Sequence, residues 1–183
     1  MAYFFFDLKD SGKRDVRGLL SSLIIQLGHQ SDSFSDILFH YYSTHQYGSR
    51  QPSDSALAQC LEDMLRVPGK VPIYLIVDAL DECLTTTGVL SSCENVLALV
   101  ERLVLLNLPT LRLCVTSRPG IDNRTSLEPL VSNQVSLHDQ DGQKRDIVNY
   151  VRYVVDSNQF MKRWQKEDKN MVVEKLSKRA DGM

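Results

Sequence analysis

Apolar positions change their period along this chain, and the change marks its elements. "AYFFFDL" (2–8) is a short apolar and aromatic run that predicts a strand. Between 13 and 30, Val16, Leu19, Leu20, Leu23, Ile24 and Leu27 fall at helical spacing and form one broad stripe. A second helix is expected over about 33–46, with Phe34, Ile37, Leu38, Tyr41 and Tyr42 on its apolar side. "GSRQPS" is a turn, and Ser53 can cap a helix running to about Val67. "PGK" breaks the chain before a strand over 72–77. "LTTTGVL" then reads as a loop, followed by a helix over 91–107 in which Ser91 and Glu94 have capping-box spacing. "LRLCVTS" (111–117) is a further strand, and "QVSLH" (134–138) a weaker one. A helix over 141–156, with stripe residues Ile147, Tyr150, Val151 and Val154, and two shorter helical stretches finish the chain.

Strands written as continuous apolar runs and alternating with amphipathic helices predict an α/β fold. Its parallel sheet would carry helices on both faces. In such sheets ligands bind at the carboxyl ends of the strands. That rule draws attention to "VPIYLIVDALDEC" (71–83), where Ile73–Val77 run directly into Asp78, with Asp81 and Glu82 just behind. It also draws attention to "TSRP" (116–119), at the end of the next strand.

Composition narrows the picture without redirecting it. With 183 residues, the chain is long enough for a proper core. A net charge of −2 gives no bulk attraction to nucleic acid or to a membrane surface. No run approaches the roughly 20 apolar residues of a membrane span, and "MAYFFFDLKD" lacks the basic start of a signal peptide. Cys60, Cys83, Cys93 and Cys114 are scattered, with no CxxC pair and no histidine at ligand spacing. They read as thiols of a reducing compartment, so a cytoplasmic location is expected. The stretch Lys162–Arg179 is locally basic, which reads as a solvated helix face.

Three carboxylates crowded at one strand end repel one another unless a positive charge sits among them. Four or more apolar residues ending in Asp, with acids behind, is the pattern of a Walker B strand. There the first Asp accepts from a water in the shell of Mg²⁺, and a later acid orients or deprotonates the water attacking the γ-phosphoryl group. The plainer reading is a parallel strand that has simply ended in an acidic loop. Thr116, at the neighbouring strand end, can sense phosphates across the crevice, and Arg118 can set a guanidinium near the γ-phosphate charge. Taken alone, "TSRP" is more often just a strand end and a turn. An unrelated metal-dependent hydrolase finds little support, because His29, His40, His45 and His138 complete no cluster with the acids.

"YFFFDLKDSGKRDVRGLLSSLIIQL", "YLIVDALDEC" and "LRLCVTSRP", in that order and spacing, resemble the NACHT-type P-loop NTPases of the STAND class. The similar subset is abundant in fungal multidomain proteins and is described as nephrocystin 3-like N-terminal. The closing "DIVNYV…VVEKLSKRADGM" is similar to the family's continuation beyond its fifth strand. The resemblance implies an ATP- or GTP-driven switch, usually set between an N-terminal effector region and C-terminal repeats, with nucleotide-controlled self-association. Carried over by position, it makes Asp78 the Mg²⁺-holding acid and Asp81 and Glu82 the catalytic acidic pair, with Glu82 positioning the water. Thr116 and Arg118 fall at the nucleotide-sensing position.

The phosphate cradle of that family is missing. A Walker A loop needs GxxxxGK[ST] to aim backbone N–H groups at phosphates. Gly12-Lys13 is followed by Arg14, and Gly69-Lys70 is followed by Val71 and lies upstream of a strand. In the family's sheet order, 5-1-4-3-2, the strand bearing Walker A would lie between "LRLCVTS" and "QVSLH". The expectation is therefore a P-loop NTPase-like sheet lacking its strand 1 and P-loop, with residues 1–140 a partial core and 141–183 the start of a helical extension. As such a fragment the chain would be inactive alone, with Mg²⁺ and ATP or GTP bound only by the intact domain. The alternative is a non-catalytic scaffold or interaction module derived from the same fold.

Overall fold

The structure is a computed structural model that describes residues 1–69, 71–83, 92–118, 127–136 and 141–180. Three parallel strands, β1 (Ala2–Phe5), β2 (Ile73–Asp78) and β3 (Leu111–Val115), form one sheet in the order β1-β2-β3. Among the described residues six α-helices accompany them: α1 (Val16–Gly28), α2 (Asp32–Thr44), α3 (Asp54–Leu65), α4 (Ser92–Leu105), α5 (Asp141–Ser157) and α6 (Lys166–Arg179). The α/β class with a parallel sheet, expected from the alternation of runs and stripes, is the architecture found. The chain divides into two compact units, Met1–Val131 and Ser132–Met183.

In the first unit, the stripe foreseen on α1 faces the core: Leu19, Leu20, Leu23, Ile24 and Leu27 are all buried. They meet Leu61, Met64 and Leu65 of α3, Val96, Leu99 and Leu103 of α4, and the Phe4, Leu75 and Val77 side of the sheet. Each such side chain contributes about 1.5–3 kcal/mol by leaving water. Polar caps start the helices. Asp15 accepts from Gly18 N–H at 2.8 Å, Ser31 from Phe34 N–H at 3.3 Å and Ser53 from Ala56 N–H at 3.2 Å. Such caps are worth about 1 kcal/mol each.

Register fixes which side chains share a face. Ala2 pairs with Leu75 and Phe4 with Val77, and Leu75 and Val77 pair in turn with Leu113 and Val115, so these six lie on the core side. The intervening residues alternate to the other side. There Tyr3, Phe5 and Tyr74 are 46%, 49% and 49% exposed, although the runs that carry them are continuously apolar in sequence.

The remaining expectations differ from the structure mainly at element ends. β1 stops at Phe5, but its pairing continues one step further, because Phe6 N–H donates to the Asp78 carbonyl at 3.0 Å. Gln134–Ser136, foreseen as the start of a strand, are not in one, and Val135 is 73% exposed there. Residues 137–138 lie outside the described residues, as do the loop 84–90 and the capping residue Ser91. In the second unit, α5 and α6 pack together around Val155 and Val173. One helix of 14 residues, α6, accounts for most of the region read as two short helical stretches.

Candidate functional site

The end of β2 and the end of β3 meet where the sequence places its acidic and Thr-Ser-Arg motifs. β2 delivers Asp78 at its last residue, half-buried on the same side of the sheet as Phe5. The chain then turns through Ala79, whose φ of 54° and ψ of 46° are left-handed, into a short 3-10 turn over Leu80–Glu82. A non-glycine residue in that region carries a cost of about 1–2 kcal/mol, so surrounding bonds must hold it. Leu80 supplies one hold by being fully buried. Thr116 supplies several more.

Thr116 contacts the turn through every polar group it has. Its N–H donates to the Val77 carbonyl at 2.9 Å, and its carbonyl accepts from Leu80 N–H at 3.0 Å. Its hydroxyl oxygen accepts from Ala79 N–H at 3.1 Å. The same hydroxyl donates to Oδ1 of Asp78. Two residues on, Arg118 N–H donates to Oδ1 of Asp81 at 2.9 Å, and Arg118 Nε lies 3.5 Å from Oδ2 of that carboxylate. Four of the five residues singled out by sequence are thus cross-linked in two pairs, Asp78 with Thr116 and Asp81 with Arg118. Glu82 sits half-buried on the same turn, with its N–H donating to the Ala79 carbonyl at 2.9 Å.

A cation here would be held first by Asp78. Its Oδ2 makes no hydrogen bond among the described residues, and carboxylate oxygen is the donor type Mg²⁺ takes. Among the described residues no group of three or more His, Cys, Asp or Glu side chains converges on one point.

The two Gly-Lys pairs are not cradles. Gly12 and Lys13 lie in a 3-10 turn over Ser11–Lys13, and Gly12 N–H is taken by Asp10 Oδ1 at 2.9 Å. That bond, with Lys13 nearby, holds the Asp10 carboxyl below the usual range. The Gly12 carbonyl presses on the start of α1, where a Cβ at Gly18 would stand 2.0 Å from its oxygen. Gly69 is an open surface position, and Lys70 lies outside the described residues. A groove of about 330 Å³ is lined by Glu62, Arg66 and Arg102 of α3 and α4, none of which belongs to the Asp78–Thr116 cluster.

Sequence reasoning missed two features of this unit. Ala79 gave no signal, because alanine is not a residue one expects at positive φ. Glu62, 3% exposed, is paired with Arg102 and, at 3.2 Å, with Arg66. Only the i,i+4 spacing of Glu62 and Arg66 hinted at that. Among the described residues no helix is long and apolar enough to cross a membrane.

Among known protein families, residues 1–118 match nephrocystin 3, N-terminal, a span that covers well over half of the chain and ends at the Arg118 just described. No curated protein and no solved structure matches it. The match takes in β1, the acidic turn after β2 and the Thr116 segment after β3 as one continuous unit. This chain belongs to the nephrocystin 3 N-terminal family.

Proposed function

We propose that this chain is the cation-binding and sensor half of a NACHT-type, STAND-class NTPase switch. Asp78 would hold Mg²⁺, Arg118 would meet γ-phosphate charge, and Glu82 would position the attacking water, with Asp81 beside it. Mg²⁺, when bound, would neutralise phosphate charge of ATP or GTP. The observation that carries the reading is the placement of Asp78 and Thr116–Arg118 at the carboxyl ends of two adjacent parallel strands, β2 and β3. In open parallel α/β sheets that is the end at which ligands bind. The strand order β1-β2-β3 also fits the 2-3-4 portion of the order implied by the resemblance. The phosphate-cradling loop, an effector region and C-terminal repeats would belong to the rest of a longer, cytoplasmic protein, which self-associates under nucleotide control.

A Mn²⁺–ATP or Mn²⁺–GTP titration of ¹⁵N-labelled chain tests this, since paramagnetic broadening detects transient encounters of the cation with Asp78 that fall far short of the stable nucleotide binding reserved for the intact domain. The amides of Ala79, Leu80 and Ser117 should broaden first, and Asp78→Asn should abolish the effect. Broadening that is absent there, or that survives Asp78→Asn, sinks the reading. The second reading, a non-catalytic scaffold, draws support from Arg118 being held by Asp81 and from the lack of any GxxxxGK[ST] in the 183 residues. It predicts no broadening at the turn with either nucleotide.

A further inference from the structure

We infer that Thr116 is a positioning residue for Asp78 and not a contact to the ligand. A threonine hydroxyl has one proton to donate and two lone pairs to accept with. Here the proton goes to Asp78 Oδ1 and one lone pair takes the Ala79 N–H at 3.1 Å. A phosphate oxygen is an acceptor, so the hydroxyl cannot serve it while it serves Asp78. What the hydroxyl does instead is fix the carboxylate plane, with Oδ1 tied to the segment that follows β3 and Oδ2 left available to a cation.

The arrangement is anchored independently of the hydroxyl. Thr116 is bonded through its backbone to Val77 and Leu80, at 2.9 and 3.0 Å. The segment is pinned again two residues on, where Arg118 N–H meets Asp81 at 2.9 Å. Asp81 thus acts on the chain that carries Thr116, and Thr116 acts on Asp78. Because the backbone bonds survive loss of the hydroxyl, Thr116→Val should fold while releasing the Asp78 side chain. This inference takes its functional meaning from the reading of Asp78 as the cation-binding carboxylate, but its geometry can be tested without any nucleotide.

The test is the χ1 rotamer of Asp78, read from three-bond N–Cγ and C′–Cγ couplings in the full chain. The wild type should show a single rotamer, Thr116→Val an average over rotamers, and Thr116→Ser the single rotamer again. In the same samples, Mn²⁺–ATP broadening at Ala79 should need about tenfold more Mn²⁺–ATP in Thr116→Val, the usual cost of losing an outer partner of a metal ligand, and recover in Thr116→Ser. If Asp78 keeps one rotamer in Thr116→Val, the inference is overturned. If the rotamer is freed but the wild type shows no broadening at Ala79, positioning stands and the nucleotide reading falls.

Discussion

Gln26 of α1 holds Tyr3 of β1 from outside the sheet. Its Oε1 accepts from Tyr3 N–H at 3.0 Å, and its Nε2 donates to the Tyr3 carbonyl at 2.7 Å. One primary amide thus does for Tyr3 what a neighbouring strand would do. One helical turn later, Gln30 repeats the device at Met1, donating to its carbonyl and accepting from its ammonium, both at 2.7 Å. Unpaired strand edges invite pairing with other chains, and here two glutamines four residues apart close the edge of β1.

Replacing Gln26 with Leu should leave both Tyr3 groups to water. The expected loss is about 1 kcal/mol, the net worth of hydrogen bonds that water partly replaces. The specific mark is faster exchange of the Tyr3 amide proton, followed by NMR, with the β2 amides unchanged. An unaltered Tyr3 rate would show that the amide bridge protects nothing.

The Glu62 carboxylate separates its two arginines by their consequences. Arg66 is an i,i+4 partner with a 48% exposed side chain, a setting worth about 0.3–0.5 kcal/mol. Arg102 reaches Glu62 from α4 and ties two helices, so its removal leaves a buried acceptor short of a partner. Arg102→Met should therefore cost about 1–3 kcal/mol in urea unfolding, and Arg66→Met no more than a few tenths. Equal losses from the two variants would refute this ranking.

Ala79→Gly should stabilise the fold. Relief of the left-handed conformation gains about 1–2 kcal/mol, and the extra chain entropy of glycine costs about 0.5–1, leaving a gain of about 0.5–1. Thermal unfolding reads the sign directly. A lower melting temperature would mean that the turn carries no strain at Ala79.

Alkaline pH should weaken the protein through two groups on α2 and α3. Burial, with the Asp63 charge adding to it, pushes the Cys60 thiol up to about 11 from an ordinary 9.0. Burial and the 2.7 Å hydrogen bond to Asp63 likewise raise the Tyr41 hydroxyl. A raised folded value means that the unfolded chain gives up its proton first. The Cys60 contribution is therefore complete below pH about 9 and lost as pH rises toward about 11, whereas that of Tyr41 is complete up to its ordinary 10.0 and is lost only above it. Urea midpoints should fall across that window, and the fall should be smaller in Cys60→Ala. With a thiol reagent at neutral pH, exposed Cys114 should react ahead of buried Cys60, Cys83 and Cys93. A midpoint that does not move with pH, or a fast thiol that persists in Cys114→Ala, would contradict these assignments.

The sequence by itself determined the class of the fold and the ends of the strands that matter. Period and run length alone separate α1, with its Leu19–Leu27 stripe, from β2, with its unbroken Ile73–Val77, because a helix returns to one face every 3.6 residues and a parallel strand needs none but apolar ones. The motif order was legible too, since Asp78 and Thr116 each close a run and a run's end is visible in one dimension. What each side chain does there was not. Whether Thr116 faces a phosphate or Asp78, whether Arg118 is loose or held by Asp81, and whether Ala79 sits at positive φ depend on two strand ends far apart in sequence meeting at hydrogen-bond distance. The closure of β1 by Gln26 is of the same kind. Hydrophobic pattern is a local property that survives in the sequence, whereas the partner of a polar group is fixed only when tertiary contact brings donor and acceptor within about 3 Å.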